Sequence, residues 1–216
     1  HSKVMKIEFL TADPIRISEV RSFINEWNSD LNFIESKTSG STGAPKMIRL
    51  LKKHMVASAQ MTGEFLGLKA NDSALLCMTT EAISGKMMIV RAIVLDLKLI
   101  VTDITSTPLK NSNQKIDFVA MVPMQVEGSL KELLLINKLI VGGGTISNHL
   151  WNAISESEVL AYQTFGMTET ISHIAMRRIS KELTNYNVLP GVEIVDENGC
   201  LTIKAPMLGV ENLQTN

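Results

Sequence analysis

The sequence predicts an α/β fold in which a mostly parallel sheet is flanked by helices, with a small β-rich subregion at the carboxyl end. Short apolar strands alternate with helical stretches over residues 1–170, the order that produces a parallel sheet. From residue 171 the helical stretches stop, and short strand-like segments separated by turn residues continue to residue 216. We therefore divide the chain into an α/β region, 1–170, and a β-rich region, 171–216.

The individual elements follow from hydrophobic patterning. Helices are predicted where apolar residues recur at helical spacing or fill a run too long for a strand. The first helix is expected to follow Ser18 as its N-cap, because Val20, Phe23, Ile24 and Trp27 recur at helical spacing. The other predicted helices are 53–67, 86–95 and 146–155. The predicted strands are 4–10, 32–37, 47–51, 73–78, 98–103, 117–122, 138–142, 158–164, 173–179, 191–196 and 200–206.

Composition excludes several classes of protein. The 216 residues are 45% hydrophobic and 20% charged, as in a globular protein. The net charge of −1 and the 5% aromatic content argue against a nucleic-acid-binding coat. The two cysteines, Cys77 and Cys200, lack the spacing of a zinc site or a disulfide framework, so we expect a reduced, cytoplasmic protein. The sequence contains no run of 18 apolar residues, so we expect no membrane span. The composition is compatible with a homo-oligomer.

The first candidate site is the segment TSGSTGAPK at 38–46. It contains four hydroxyl residues, two glycines and a lysine. Glycine lets the backbone approach an oxyanion, hydroxyls and N–H groups donate to phosphate oxygens, and lysine adds positive charge. A Walker A loop requires GK[ST] followed by a helix, whereas Lys46 precedes the strand-like MIRLL, so a β-hairpin loop is expected. An ordinary Ser/Gly turn is the alternative.

A second candidate, YQTFGMTET at 162–170, follows a predicted strand, where ligands gather in open α/β sheets. Glu169 could hold Mg²⁺, which prefers carboxylate and phosphate oxygens, and Phe165 could flank a flat ring. A third candidate is the glycine run 142–144, which would let the backbone approach a planar ligand. Taken separately, both segments are also explained as turns.

Together, in this order, the three segments resemble the adenylate-forming superfamily of acyl- and aryl-CoA ligases, luciferases and peptide-synthetase adenylation domains, over residues 35–216. TSGSTGAPK matches the family's phosphate loop, GGGTI its adenine-contacting glycines and FGMTET its Mg²⁺/AMP motif. The resemblance implies the large N-terminal domain of such a ligase, using ATP, Mg²⁺ and coenzyme A. It assigns Lys46, Thr168 and Glu169 to catalysis, with Glu169 also holding the metal. The implied nucleotide-binding residues are Thr38, Ser39, Gly40, Ser41, Thr42, Gly43, Lys46, Gly143, Gly144, Thr164, Phe165, Gly166 and Thr168.

Four further segments, at 82–94, 117–126, 167–178 and 191–206, resemble the o-succinylbenzoate–CoA ligases of menaquinone biosynthesis. This implies a small aromatic carboxylate, 2-succinylbenzoate, as substrate. The implied substrate residues are Ser84, Gly85, Lys86, Arg91, Ser172 and His173. Three of them also have structural explanations: a snorkelling or paired Arg91, a solvated Lys86 at a helix start, and a hydrogen-bonded strand histidine at 173.

The sequence departs from the family at two places. The family usually carries His or an aromatic residue where this chain has Ala82, so the resemblance does not predict how the acyl channel is gated. The chain also stops at Asn216, before the family's ribose-binding Asp and the C-terminal lid domain with its Lys. We therefore expect the lid domain to be absent and this chain to be inactive alone. Another acyl- or aryl-CoA ligase and a non-catalytic nucleotide-binding module are the alternative functions.

Overall fold

The computed structural model describes residues 5–37, 47–110, 112–197, 200–208 and 213–215, and its largest element is an eight-stranded sheet. The strands, in chain order, are β1 (Ile7–Phe9), β2 (Phe33–Lys37), β3 (Met47–Leu51), β4 (Ser73–Leu76), β5 (Lys98–Val101), β6 (Ile116–Met121), β7 (Ile136–Val141), β8 (Leu160–Gly166), β9 (His173–Arg178), β10 (Tyr186–Val188), β11 (Glu193–Glu197), β12 (Cys200–Lys204) and β13 (Leu213–Thr215). The helices are α1 (Pro14–Trp27), α2 (Lys52–Leu66), α3 (Ile83–Val94), α4 (Pro123–Glu127), a 3₁₀ helix (Leu130–Leu135) and α5 (Asn148–Ser155).

The large sheet has the strand order β1-β5-β4-β6-β7-β8-β9-β10, and its first six strands are parallel. Parallel strands must be covered on both faces, which explains why all four residues of β4 are buried. The predicted α/β fold with a mostly parallel sheet is thereby confirmed.

Helices cover the two faces of the sheet in two groups. The chain moves from β4 through α3 to β5 in one direction, then from β6 through α4, the 3₁₀ helix and α5 to β8 in the other. Since parallel crossovers are right-handed, this reversal puts α3 on one face and α4 and α5 on the opposite face. The helix α2 packs against α3, and α4 packs against α5.

The first helix begins earlier than predicted. Asp13, not Ser18, is its N-cap, with a carboxylate oxygen accepting a 2.9 Å hydrogen bond from the backbone N–H of Ile15. Pro14 occupies the first helical position, where its missing N–H costs nothing. Ser18 therefore lies inside the helix, and the prediction of its capping role is wrong.

The carboxyl-terminal strands belong to two sheets. β9 and β10 extend the large sheet in antiparallel pairing with β8, whereas β11, β12 and β13 form a separate three-stranded antiparallel sheet. The sequence-predicted boundary at residue 171 thus falls within the large sheet. Among the described residues, no helix is both long and apolar enough to cross a membrane.

Candidate functional site

Two of the three sequence motifs follow neighbouring strands at one edge of the sheet. The glycine run 142–144 follows β7, and the sequence MTET at 167–170, called the MTET segment below, follows β8. The two strands pair in parallel. Both motifs therefore lie at the carboxyl edge, where open α/β sheets bind ligands. The strand order reverses nearby, between β4 and β6, and ligands of open α/β sheets bind outside such a reversal.

The third motif, the predicted phosphate loop, lies outside the described residues. This applies to Thr38, Ser39, Gly40, Ser41, Thr42, Gly43 and Lys46. The strands on either side, β2 and β3, pair antiparallel with Lys37 opposite Met47, so the predicted hairpin strands are confirmed.

The glycine run makes close contact with the ends of β6 and β8. A Cβ on Gly142 would lie 2.4 Å from Oγ1 of Thr164, whose hydroxyl donates a 3.2 Å hydrogen bond to the carbonyl of Val141. Gly143 has a φ of +72°, a conformation that a side chain disfavours. The backbone N–H of Gly142 also donates a 3.2 Å hydrogen bond to the carbonyl of Met121 at the end of β6, so glycine at this position lets three strand ends come together.

The MTET segment is a tight turn closed by a single hydroxyl. The hydroxyl of Thr170 accepts from the backbone N–H of Met167 at 2.9 Å and lies 2.9 Å and 2.7 Å from the carbonyl oxygens of Met167 and Ser172. Thr170 is fully buried and Thr168 nearly so, whereas Glu169 is exposed. The turn thus presents the Glu169 carboxylate to solvent at the carboxyl edge of the sheet.

Gly166 brings the predicted nucleotide-binding residues into contact with predicted substrate residues. A Cβ at this position would lie 2.3 Å from the carbonyl oxygen of Ser172 and 2.5 Å from Cα of His173. The segment after β8 therefore folds directly back onto Gly166, and Ser172 and His173 lie beside the nucleotide motif.

Arg91 is a buried cation opposite this turn. It is 2% exposed, and its Nη2 donates a 2.7 Å hydrogen bond to Oγ of Ser172, while Nη1 contacts Sδ of Met88 at 3.8 Å. Its Nε has no hydrogen-bond partner, and no acidic side chain among the described residues forms an ion pair with it. Burial lowers the pKa of Arg91 to about 10, which leaves the guanidinium charged near neutral pH. An uncompensated buried charge is costly, so this arrangement favours an anionic ligand.

The hydrogen bonds around Arg91 assign the state of His173. Because Ser172 Oγ accepts from Arg91, its own hydrogen is free to go to Nδ1 of His173, 3.2 Å away. Nε2 of His173 then carries the proton and donates to Oγ1 of Thr62 at 3.0 Å, and Thr62 donates to the carbonyl of Ser58 at 3.0 Å. Burial, reinforced by the positive charge of Arg91, holds the pKa of His173 well below its usual value, so the ring is neutral.

The other predicted substrate residues lie at the amino end of α3. Ser84 is exposed there, and a Cβ on Gly85 would lie 2.0 Å from the carbonyl oxygen of Thr79, so Gly85 allows the helix to pack against that loop. Lys86 donates to the carbonyl of Glu35 and lies 5.7 Å from the ring centre of Phe23. Burial lowers its pKa, an effect opposed by Glu26 and Glu35. The structure therefore groups Arg91 with Ser172 and His173, and places Lys86 against α1 and β2.

A metal at this edge would have one protein carboxylate. The described residues contain no group of three or more His, Cys, Asp or Glu side chains suited to a metal. Mg²⁺ is commonly held by one or two carboxylates together with substrate phosphates. Glu169 fits a magnesium ion carried by a nucleotide, but not a resident metal centre.

The carboxyl edge is open rather than enclosed. A cavity of about 430 Å³ lies beside the glycine run, between α4 and α5. Its lining includes Pro123, Glu127, Thr145 and Ser147 but no residue of the MTET turn. We therefore identify the site by its side-chain chemistry, because the cavity alone does not mark it.

Sequence patterning missed two residues that support the site. Thr62 hydrogen-bonds His173 from a helix 111 positions earlier, and nothing in the amphipathic pattern of α2 distinguishes it. Thr170 was within the recognised motif but had no predicted role, and only the folded turn shows that its hydroxyl accepts from the backbone N–H of Met167.

Comparison with known proteins places this geometry in a family. A sequence profile of the family described as AMP-binding enzyme matches residues 37–204. An acyl-CoA synthetase (AMP-forming)/AMP-acid ligase II-like protein from Dyadobacter fermentans has a TM-score of 0.84 and 35% identity, covering 95% of this chain and 61% of its own. The 2-succinylbenzoate–CoA ligase of Enterococcus faecalis is 30% identical over 157 residues, which is 68% of this chain and 32% of the relative.

A third protein shares the fold at lower identity. The o-succinylbenzoate coenzyme A synthetase of Bacillus subtilis, solved with ATP and magnesium ion, has a TM-score of 0.71 and 21% identity, covering 81% of this chain and 41% of its own. The chain spans about a third of the length of the curated relatives that it matches.

Proposed function

This chain belongs to the AMP-binding enzyme family, and we propose that it binds ATP at the carboxyl edge of the large sheet and activates a carboxylic acid for transfer to coenzyme A. The acid that we propose is 2-succinylbenzoate. The observation that carries this choice is the buried guanidinium of Arg91, which has Ser172 as its oxygen partner and no carboxylate counter-charge among the described residues.

The nucleotide would lie across the ends of β7 and β8. We assign the adenine to the glycine run, at Gly143 and Gly144, and to the end of β8, at Thr164, Phe165 and Gly166. Thr168 would contact the α-phosphate, and Glu169 would hold the magnesium ion of ATP. The loop 38–46 would hold the β- and γ-phosphates, with Lys46 supplying positive charge.

The proposed reaction has two steps. A carboxylate oxygen of the acid attacks the α-phosphorus, the bond to the bridging oxygen breaks, and diphosphate leaves with an acyl-adenylate remaining. The coenzyme A sulfur then attacks the acyl carbon, the carbon–oxygen bond to AMP breaks, and the thiol proton is released. Negative charge grows on phosphate oxygens in the first step, so Lys46 and Thr168 would contribute by electrostatic stabilisation.

A dicarboxylate suits the charge at Arg91. One carboxylate of 2-succinylbenzoate would be activated at the nucleotide, and the other would compensate the guanidinium beside Ser172. Charge-assisted hydrogen bonds of this kind are shorter and stronger than neutral ones. His173 would act on the acid only through Ser172, which it orients by accepting the hydroxyl hydrogen. Ser84 and Gly85 would shape the acyl pocket at the amino end of α3. We propose no direct substrate contact for Lys86, because its amine already donates to the carbonyl of Glu35.

Acid-dependent thioester formation by the full-length gene product tests the proposal. ATP, Mg²⁺ and coenzyme A are supplied with 2-succinylbenzoate, benzoate or a medium-chain fatty acid, and AMP, diphosphate and thioester are measured. We expect turnover with 2-succinylbenzoate and much weaker turnover with benzoate, which lacks the second carboxylate. Turnover confined to a monocarboxylate would refute the choice of acid. ATP binding without diphosphate release for any acid would favour a non-catalytic nucleotide-binding role.

A further inference from the structure

We propose that Tyr186 is a positioning residue for the nucleotide base, because its ring holds the ring of Phe165. The inference rests on the proposed nucleotide site and adds to it a residue on β10, outside every motif that identifies the family. The two rings meet edge to face, with centres 6.0 Å apart and planes inclined by 64°. Aromatic pairs favour this geometry because the positive edge of one ring meets the negative face of the other.

Strand register explains why rings on β8 and β10 can touch across β9. Phe165 is paired with Ala175 of β9, and Tyr186 is paired with Arg177, two residues away on the same strand. Paired residues and residues two apart share a face of a sheet, so all four side chains project from one face. The small side chain of Ala175 leaves room for the two rings to meet diagonally above it.

Arg177 keeps Tyr186 from moving away from Phe165. Its guanidinium carbon lies 5.1 Å from the ring centre of Tyr186 and 4.7 Å from that of Trp151, so it is held between two aromatic faces. The guanidinium also donates to Oε1 of Gln163, and the indole N–H of Trp151 donates to the carbonyl of Ser180 at 3.0 Å. The side chains of Trp151, Arg177, Tyr186 and Phe165 therefore form a continuous row of contacts from α5 to the end of β8.

The functional consequence concerns the free side of Phe165. Its side chain is partly buried: it packs against the hydrophobic core and contacts Tyr186, and it keeps some exposed surface at the carboxyl edge. A ring that is already fixed loses less rotational freedom when a base packs against it, and preorganisation of this kind raises affinity. We therefore expect Tyr186 to influence ATP affinity without touching ATP.

A double-mutant cycle tests this coupling. ATP affinity is measured calorimetrically in the presence of Mg²⁺ for the wild-type chain, Tyr186→Ala, Phe165→Ala and the double variant. Loss of the ring pair should weaken ATP binding about 3- to 10-fold, the scale of an aromatic pair. In the Phe165→Ala background, Tyr186→Ala should have no further effect, because its influence passes through the missing ring. Tyr186→Phe should bind ATP like the wild type, since it retains the ring.

Controls separate this effect from damage to the strand. Asn187 neighbours Tyr186 but is paired with Met176, so it projects from the opposite face, and Asn187→Ala should leave ATP affinity unchanged. Tyr186→Leu keeps apolar volume without a ring and replaces Tyr186→Ala if the latter does not fold. If Phe165→Ala weakens ATP binding and Tyr186→Ala does not, or if the two effects add independently, the inference is overturned and the nucleotide site stands. If Phe165→Ala itself has no effect, the proposed base site is wrong, and the inference falls with it.

Discussion

Nε2 of His173 lies 3.0 Å from Oγ1 of Thr62, inside a protein interior that also contains the cationic Arg91. The hydrogen bond fixes the proton on Nε2 and leaves Nδ1 free to accept from Ser172. A second proton on this ring would remove the acceptor and place a like charge beside Arg91. The neutral imidazole is therefore part of how the fold holds Ser172 in place.

Our first prediction is a pH dependence of stability that originates at His173. Its pKa in the folded protein lies below the ordinary value of 6.5, so the unfolded chain takes up a proton first as the pH falls. The free energy of unfolding should therefore decrease as the pH drops below about 6.5, by at most about 1.4 kcal/mol per pH unit. Urea unfolding between pH 7.5 and about 5 measures the slope, which His173→Gln should reduce.

His54 provides the matched control for that slope. Burial and the nearby Lys53 also lower its pKa, but its side chain is only partly buried. We expect His54→Gln to remove less of the slope than His173→Gln. Equal slopes in the wild type and in His173→Gln would show that His173 is not held neutral by the fold.

A second prediction separates stability from substrate binding at Arg91. Replacing a buried ion pair by apolar side chains of similar size is often neutral or stabilising, by about 1–4 kcal/mol, and Arg91 lacks even the partner charge that would offset its burial among the described residues. Arg91→Met should therefore unfold at a similar or higher urea concentration. It should also bind 2-succinylbenzoate about 10- to 100-fold more weakly, since it loses a charge-assisted hydrogen bond.

Arg91→Lys and benzoate distinguish a charge effect from a packing effect. Lysine retains the positive charge but not the planar guanidinium, so its affinity for 2-succinylbenzoate should be intermediate. Benzoate lacks the second carboxylate, and its binding should differ little between the wild type and Arg91→Met. If Arg91→Met binds 2-succinylbenzoate like the wild type, Arg91 is a structural residue and the proposed acid loses its main support.

The sequence predicted the order of the parallel strands well, because strands buried on both faces are continuous apolar runs, but it did not predict α4 or the 3₁₀ helix between β6 and β7. The errors came from short or composite signals. The Asp13-Pro14 start of α1 is a stronger signal than Ser18, but it lies outside the apolar repeat that drew attention to Ser18. The strand β10 has three exposed residues without apolar alternation, so only its pairing with β9 defines it.

The residues of the candidate site were likewise predictable from the sequence only in part. The motif after β8 could be recognised from sequence, because glycine and threonine are required where the chain turns back on itself within a few residues. The contacts of Thr62 with His173 and of Tyr186 with Phe165 join separate elements. Such contacts depend on how helices and strands pack, and local patterning contains no information about them.

A third prediction concerns the carboxylate of Glu169. Glu169→Gln keeps the shape of the side chain and removes the charge that a hard cation requires. Because Glu169 is exposed, the free energy of unfolding should change by less than about 0.5 kcal/mol. Acid-dependent exchange of diphosphate into ATP, measured with the full-length gene product, should be lost or become strongly dependent on added Mg²⁺.

Glu158 is the control for this charge. It is also exposed, but it precedes β8 at the amino edge of the sheet, whereas Glu169 follows the strand at the carboxyl edge. Glu158→Gln should leave diphosphate exchange unchanged. Normal exchange in Glu169→Gln would remove Glu169 from the proposed magnesium site.

The last prediction uses the two crowded glycines at the carboxyl edge. An alanine methyl at position 142 would collide with Oγ1 of Thr164, which belongs to a side chain, whereas one at 166 would collide with backbone atoms of Ser172 and His173. Overpacking costs about 1–3 kcal/mol, so both Gly142→Ala and Gly166→Ala should lower the free energy of unfolding.

Only the first collision can be relieved by a second substitution, because Thr164→Ala removes the obstructing oxygen. The double variant Gly142→Ala/Thr164→Ala should therefore recover much of the lost stability, while Thr164→Ala should not rescue Gly166→Ala. Urea unfolding of the wild type, the three single variants and the two double variants measures both coupling energies. Independent, additive losses in the Gly142 and Thr164 pair would contradict the close contact that joins the ends of β7 and β8.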